Sequence, residues 1–165
     1  MRIWLAGLMG SGKSTVGRAL ASVLGYDYVD NDTTIAVKAG QSTVELAASG
    51  GTLLHDWESR YIHELVAEQR HIVAGIPASA ADRYADLQLL HKSGAIIYLR
   101  CDVDTLAARV QADGPRPWLT HDVRPIIEAM MASRDPVYLR FAYDVIDGSL
   151  PVSAIVDTIV TRVSA

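Results

Sequence analysis

The chain has 165 residues, 50% of them hydrophobic and 21% charged, with a formal net charge of -4; this suits one domain with a real core and excludes long-range disorder. The mild acidity argues against a sequence-independent nucleic-acid binder, which needs a concentrated basic face. A single cysteine, Cys101, rules out an internal disulfide, no apolar run approaches the roughly 20 residues of a membrane span, and no signal-peptide pattern precedes the first strand, so a cytoplasmic protein is expected.

Short β-rich runs alternate with amphipathic stretches, the pattern of an α/β domain with a mainly parallel sheet, here a single domain over residues 1–165. The first strand is expected at 2–6, followed by a Gly-rich turn and a helix over 14–24 with Val16, Leu20 and Val23 on one face and Gly25 at its end. A second strand at 26–30 empties into an Asp-Asn-Asp turn. Ser42 and Glu45 have capping-box spacing for a short helix, and another helix is expected over 52–69. Strands are expected at 71–75, 95–100 and 143–146. Asp102 can cap a helix to about 112, and helices are expected over 122–134 and 151–163. Between them, Asp113-Gly-Pro-Arg-Pro117 cannot be regular helix.

Only three of the fifteen basic residues are lysines: Lys13, Lys38 and Lys92. One of them lies in Gly7-Leu-Met-Gly-Ser-Gly-Lys13-Ser14, which fits G-x-x-x-x-G-K-[ST] and stands between a strand and a helix, as the motif requires. Glycines there let the backbone curl so that successive N–H groups, from Gly7 through Gly10, Ser11 and Gly12 to Thr15, face phosphate oxygens. The helix after the loop adds its positive end. Lys13 can reach the β- and γ-phosphates, and the Ser14 hydroxyl can ligate Mg²⁺. ATP and Mg²⁺ are the expected ligands.

With these residues in hand, the chain resembles the shikimate kinase family almost end to end. The stretch from Gly7 to Ala21, Leu24-Gly25, Asp30-Asn-Asp32, Arg109, Arg116-Pro117 and Arg134-Asp-Pro-Val-Tyr138 carry the resemblance, in order and spacing. It implies a P-loop fold with a five-stranded, mainly parallel sheet flanked by helices and a mobile lid at about 110–121. It also implies Mg²⁺ help from Asp30, an acceptor hydroxyl oriented or deprotonated by Asp32, adenine packing on Arg109, phosphate contact from Arg116, and an acceptor held by Arg134. Phosphoryl transfer needs charge neutralisation and alignment, which suits this cast. Asp30 and Asp32 also fit an ordinary Asx turn and helix cap.

The acceptor side departs from the family pattern G-E-x-x-F-R-x-x-E, whose arginine grips the shikimate carboxylate. Here the stretch is Gly50-Gly-Thr-Leu-Leu-His-Asp-Trp-Glu58, and the arginine position falls on His55 or Asp56. Neither reproduces a bidentate guanidinium contact. The family's G-G-G is replaced by Gly75-Ile76-Pro77; Pro77 lacks an N–H and Ile76 is expected to put bulk beside the substrate. Arg60 or Arg124 could compensate. Trp57 suits the core, and Trp118 suits either core or substrate covering.

The expected activity is ATP-dependent phosphorylation of a hydroxyl on a small metabolite, shikimate or a related cyclitol or polyol, by a monomer. A nucleoside monophosphate acceptor fits poorly, because Asp-Asn-Asp offers negative charge where a phosphate wants arginines. The alternative is a catalytically inactive nucleotide-binding sensor or interaction protein of the same fold.

Overall fold

The structure, a computed structural model, describes residues 1–50, 52–113 and 122–164. One sheet organises it. Strands β1 (Arg2–Ala6), β2 (Asp27–Val29), β3 (Ile72–Gly75), β4 (Ala95–Arg100) and β5 (Asp144–Asp147) pair in the order β2-β3-β1-β4-β5, every pair parallel. The expected five-stranded α/β architecture is what the chain adopts.

Parallel strands buried on both faces must be apolar throughout, and the period of two divides their side chains cleanly. Trp4, Ala6, Ile72, Ala74, Ile96 and Tyr98 face one core. Ile3, Leu5, Val73, Ile97, Leu99 and Ile146 face the other. The second face is covered by α1 (Lys13–Leu24) and α8 (Val152–Ser164). Its buried stripe on α1 runs through Val16, Gly17, Leu20 and Ala21, which leaves Val23 in solvent rather than on the expected face.

The first face is covered by α2 (Asn31–Ala39), α3 (Thr43–Ala48), α4 (Leu53–Ala67), α5 (Tyr84–Ser93) and part of α7 (Arg124–Phe141). Helix α6 (Val103–Ala112) packs on α7 through Leu106, Val110, Val123 and Ile127. Three of these elements differ from expectation. The Asp-Asn-Asp turn is the start of α2, whose N-cap is Asp30. Residues 76–94, where the sequence predicts no element, hold a 3₁₀ turn (Ala78–Asp82) and α5. Helix α7 runs to Phe141, through Pro136, where a stop near residue 134 was expected. The proline is tolerated because the turn is pinned on both sides: Asp135 binds Arg100, and the Tyr138 hydroxyl donates to Ala78 O at 2.9 Å.

The expected caps form. Ser42 and Glu45 make a reciprocal capping box, Asp102 accepts from Thr105 N–H, and Gly25 ends α1 in the left-handed conformation. Gly17 has a tighter task. A β-carbon there would lie 2.2 Å from Tyr28 Cε2, so α1 reaches β2 only because this position is bare.

Candidate active site

Ligands in open α/β sheets bind beyond the carboxyl ends of the strands, and a cleft of about 940 Å³ lies there. Every strand contributes to it through the chain just past its end: the loop after β1, Asn31 and Asp32 after β2, Pro77 to Ser79 after β3, Arg109 and Met130 beyond β4, and Gly148 after β5. That volume is at the upper end of small-molecule sites, which suits a nucleotide and a small acceptor side by side.

At one end the loop 7–14 curls around the start of α1. Gly10 and Gly12 have φ of 84° and 91°, values that L side chains avoid. Lys13 Nζ donates to the carbonyls of Gly7 (2.8 Å) and Leu8 (3.2 Å), folding back along the loop. Ser11 Oγ is buried without a partner among the described residues, and it lines the cleft. Such an orphaned hydroxyl in a concave loop of N–H groups is what an oxygen-rich anion would satisfy. Arg109 crosses from α6 and donates to Gly148 O at 2.9 Å and to Gly10 O at 3.3 Å, so it borders the nucleotide end.

Two acids stand beside the loop, of which Asp32 lines the cleft and Asp30 lines a neighbouring pocket with Tyr28 and Thr33. Ser14 Oγ donates to Asp30 Oδ2 at 2.8 Å, while Asp30 Oδ1 accepts from Thr33 N–H at 3.1 Å. Burial opposes ionisation of Asp30, but hydrogen bonds from Thr33, Ser14 and Tyr28 outweigh it and hold the carboxyl below the usual carboxylate range. Burial likewise pushes the Tyr28 hydroxyl up to about 12. Asp30 is thus a helix cap and a neighbour of Ser14 at once. Asp32, in the first turn of α2, lines the cleft, with its Oδ1 accepting from Asn31 Nδ2 at 3.2 Å.

Of the acceptor-side candidates, His55, Pro77 and Arg134 line the cleft. Arg134 is held by Asp82, with Nη2 2.6 Å from Oδ2. Gly75 lies beneath the cleft wall: its carbonyl accepts from the Tyr61 hydroxyl at 2.8 Å, and a β-carbon would stand 3.2 Å from Asn31 Oδ1. Like Gly75, two further candidates lie outside the cleft lining. Asp56 is outside the cleft lining, whereas His55 and Glu58, three apart on α4, both line it; His55 and Asp56 are alike exposed. Ile76 is fully buried in the core, so its bulk does not reach the cleft.

Neither expected compensating arginine is at the cleft. Arg60 lies over the Trp57 ring, 5.3 Å from its centroid, and Arg124 is paired with Asp104 and Glu128. Arg116 and Trp118, and with them most of the expected lid, lie outside the described residues. Residues the sequence did not single out are Asn31, Glu58, Ser79 and Arg83. For Glu58 a signal existed: it stands at the closing glutamate of the family pattern, three residues after His55; nothing local pointed to the others. Among the described residues there is no cluster of three or more His, Cys, Asp or Glu side chains able to hold a metal ion. No described helix is long and apolar enough to cross a membrane.

The family model described as shikimate kinase matches residues 9–164. The chain belongs to the shikimate kinase family. It is 38% identical to the shikimate kinase of Zymomonas mobilis over 160 residues, covering 96% of this chain and 90% of that one. It is 36% identical to that of Nitratidesulfovibrio vulgaris over 166 residues, covering 96% and 93%. Among solved structures, the shikimate kinase of Acinetobacter baumannii in complex with shikimate superposes with a TM-score of 0.89 at 26% identity, covering 98% of this chain and 92% of that chain.

Proposed function

We propose that this member of the shikimate kinase family transfers the γ-phosphoryl group of ATP to a hydroxyl of shikimate. The observation that carries the reading is one continuous cleft, with a complete P-loop at one end and Asp32, His55 and Arg134 at the other. The P-loop N–H groups from Gly7 to Thr15 cradle the phosphates, and Lys13 leaves its loop carbonyls to reach the β- and γ-oxygens. Arg109 flanks the adenine, bordering the loop through Gly10 O and Gly148 O.

Ser14 and Asp30 offer two hard oxygens 2.8 Å apart, the donor chemistry that Mg²⁺ prefers when waters and phosphate complete its shell. Bound there, Mg²⁺ neutralises charge on the phosphates. Asp32 orients the acceptor hydroxyl and takes its proton as the new P–O bond forms. Arg134 holds the carboxylate of the acid, exchanging its contact with Asp82 for one with the ligand. Such a site works by alignment and electrostatics.

The buried free thiol of Cys101 suits the reducing cytoplasm. The alternative of a sensor without catalysis gains no supporting observation, since Lys13, Ser14 and Asp32 stand together in the cleft. The test is ADP release with Mg²⁺ and ATP against shikimate and a panel of neutral polyols. Turnover of shikimate at a KM in the usual micromolar-to-millimolar range is expected. Turnover of a neutral polyol with none of shikimate overturns the acceptor; no turnover of any acceptor beside tight ATP binding favours the sensor.

A further inference from the structure

The wall of the cleft at α4 hides an imbalance of charge. Glu58 and Asp86 are almost entirely buried, their side chains 10% and 5% exposed, and one guanidinium serves both. Arg83 Nε donates to Asp86 Oδ2 at 2.6 Å, and its Nη1 lies 3.3 Å from Glu58 Oε2, 3.2 Å from Ser79 Oγ and 3.3 Å from His55 Nδ1. Ser79 donates to the same Glu58 oxygen at 2.5 Å, and His55 Nδ1 stands 3.0 Å from it. Arg83 Nη2 is buried and has no partner among the described residues. His55, Glu58 and Ser79 all line the cleft.

A carboxylate at the wall of a pocket repels an acidic acceptor unless a cation stands against it. Glu58 has one from another element: α4 itself carries His55 where a cation would help, and Arg83 reaches over from the residue that precedes α5. The preceding residue, Asp82, holds Arg134, which lines the cleft from α7. The dipeptide Asp82-Arg83 therefore holds cleft side chains of both α4 and α7.

We propose that Arg83 is the positioning residue of the acceptor end: it neutralises Glu58 and fixes His55, so that an anionic acceptor meets His55 and Arg134 rather than an uncompensated carboxylate. This rests on the reading of the acceptor as an acid, and it assigns the missing charge of α4 to a residue 25 positions further on. Arg83 acts through Glu58 and His55, which touch the cleft.

The test compares shikimate with its uncharged carboxamide analogue, at saturating ATP, in the full chain. Arg83→Met is expected to raise the KM for shikimate about tenfold or more while the KM for the carboxamide changes less than about threefold. The KM for ATP stays within about twofold. Adding Glu58→Gln to Arg83→Met should recover most of the loss, and Arg83→Lys should fall between wild type and Arg83→Met. Equal loss for both acceptors, or a double variant no better than the single one, overturns the proposal. If Arg83→Met does not fold, Glu58→Gln alone decides: with Arg83 retained it should improve the preference for shikimate over the carboxamide about threefold, and an unchanged or reversed preference overturns the proposal. Wild-type protein that does not phosphorylate shikimate overturns the acceptor reading and this inference with it. Wild-type protein that does, with an unaltered Arg83→Met, overturns this inference alone.

Discussion

Ser14 Oγ donates to Asp30 Oδ2 at 2.8 Å, joining the first turn of the P-loop helix to the cap of α2. One carboxylate thus serves fold and site, and an amide can separate the two roles, since asparagine caps helices as well as aspartate. Asp30→Asn should lose less than about 1 kcal/mol of stability. It should raise the Mg²⁺ concentration needed for half-maximal turnover by about tenfold or more. Turnover titrated with Mg²⁺ checks this; an unchanged midpoint removes Asp30 from the metal site.

Asp32 lines the cleft without capping α2, and its replacement should act on chemistry rather than on nucleotide binding. For Asp32→Asn, kcat should fall by about 10² or more, the usual worth of a positioned general base. The Kd for ATP should stay within about threefold. An equal loss of ATP affinity would move Asp32 to the metal.

Gly17→Ala tests the contact of α1 with β2. The added methyl would stand 2.2 Å from a Tyr28 ring carbon, and a ring cannot bend away as a flexible chain can. Overpacking of this kind costs about 1–3 kcal/mol. Chemical denaturation should show that loss, and the same substitution made in a Tyr28→Ala background should cost far less. Equal cost in both backgrounds would place the strain elsewhere.

Ile76 is fully buried, and its N–H donates to Leu5 O at 3.0 Å. Ile76→Gly should therefore destabilise the fold by about 3 kcal/mol or more, from the lost side chain and the added backbone freedom. It should not lower the KM for shikimate. A stable variant with improved KM would return this residue to the acceptor pocket.

Asp135 accepts from Arg100 Nε at 2.8 Å and Nη2 at 2.9 Å, and from the Tyr98 hydroxyl at 2.8 Å. The Arg100 hydrogen bonds, outweighing burial, hold its carboxyl below the usual range. A depressed folded-state value stabilises the fold above the unfolded value of about 3.9, and that stability is lost as pH falls through the folded value. Asp135→Asn should cost about 2 kcal/mol at neutral pH. Urea midpoints of the two proteins should converge as the pH is taken below about 4; a gap that is independent of pH would deny the ionic role.

What the sequence made legible was local. The P-loop is fixed by the spacing of Gly7, Gly12, Lys13 and Ser14, and the short helix α3 by the reciprocal pair Ser42 and Glu45. Helix α2 was hidden because Asn31, Asp32, Thr33 and Thr34 are weak helix formers; it forms because Asp30 caps it and Ile35 is buried in the core. The end of α7 was misplaced because Pro136 reads as a stop, and only tertiary contacts of Asp135 and Tyr138 carry the helix past it. The acceptor end was least legible. Arg83 meets Glu58 and His55 across 25 and 28 residues of chain, and no periodicity records such a meeting. The alternatives for the missing arginine on α4 are separated by the cleft, which His55 lines and Asp56 does not.

The pairing of Arg134 with Asp82 sets the terms on which an acid can enter. Asp82 is a tethered rival, and it occupies the guanidinium before any ligand arrives. An incoming carboxylate replaces one charged contact with another, so its gain is the difference between two similar bonds rather than the whole of one. Stray anions meet the same barrier. What selects among them is everything a tethered side chain cannot imitate: a ring, a hydroxyl within reach of Asp32, and a shape that spans both walls at once.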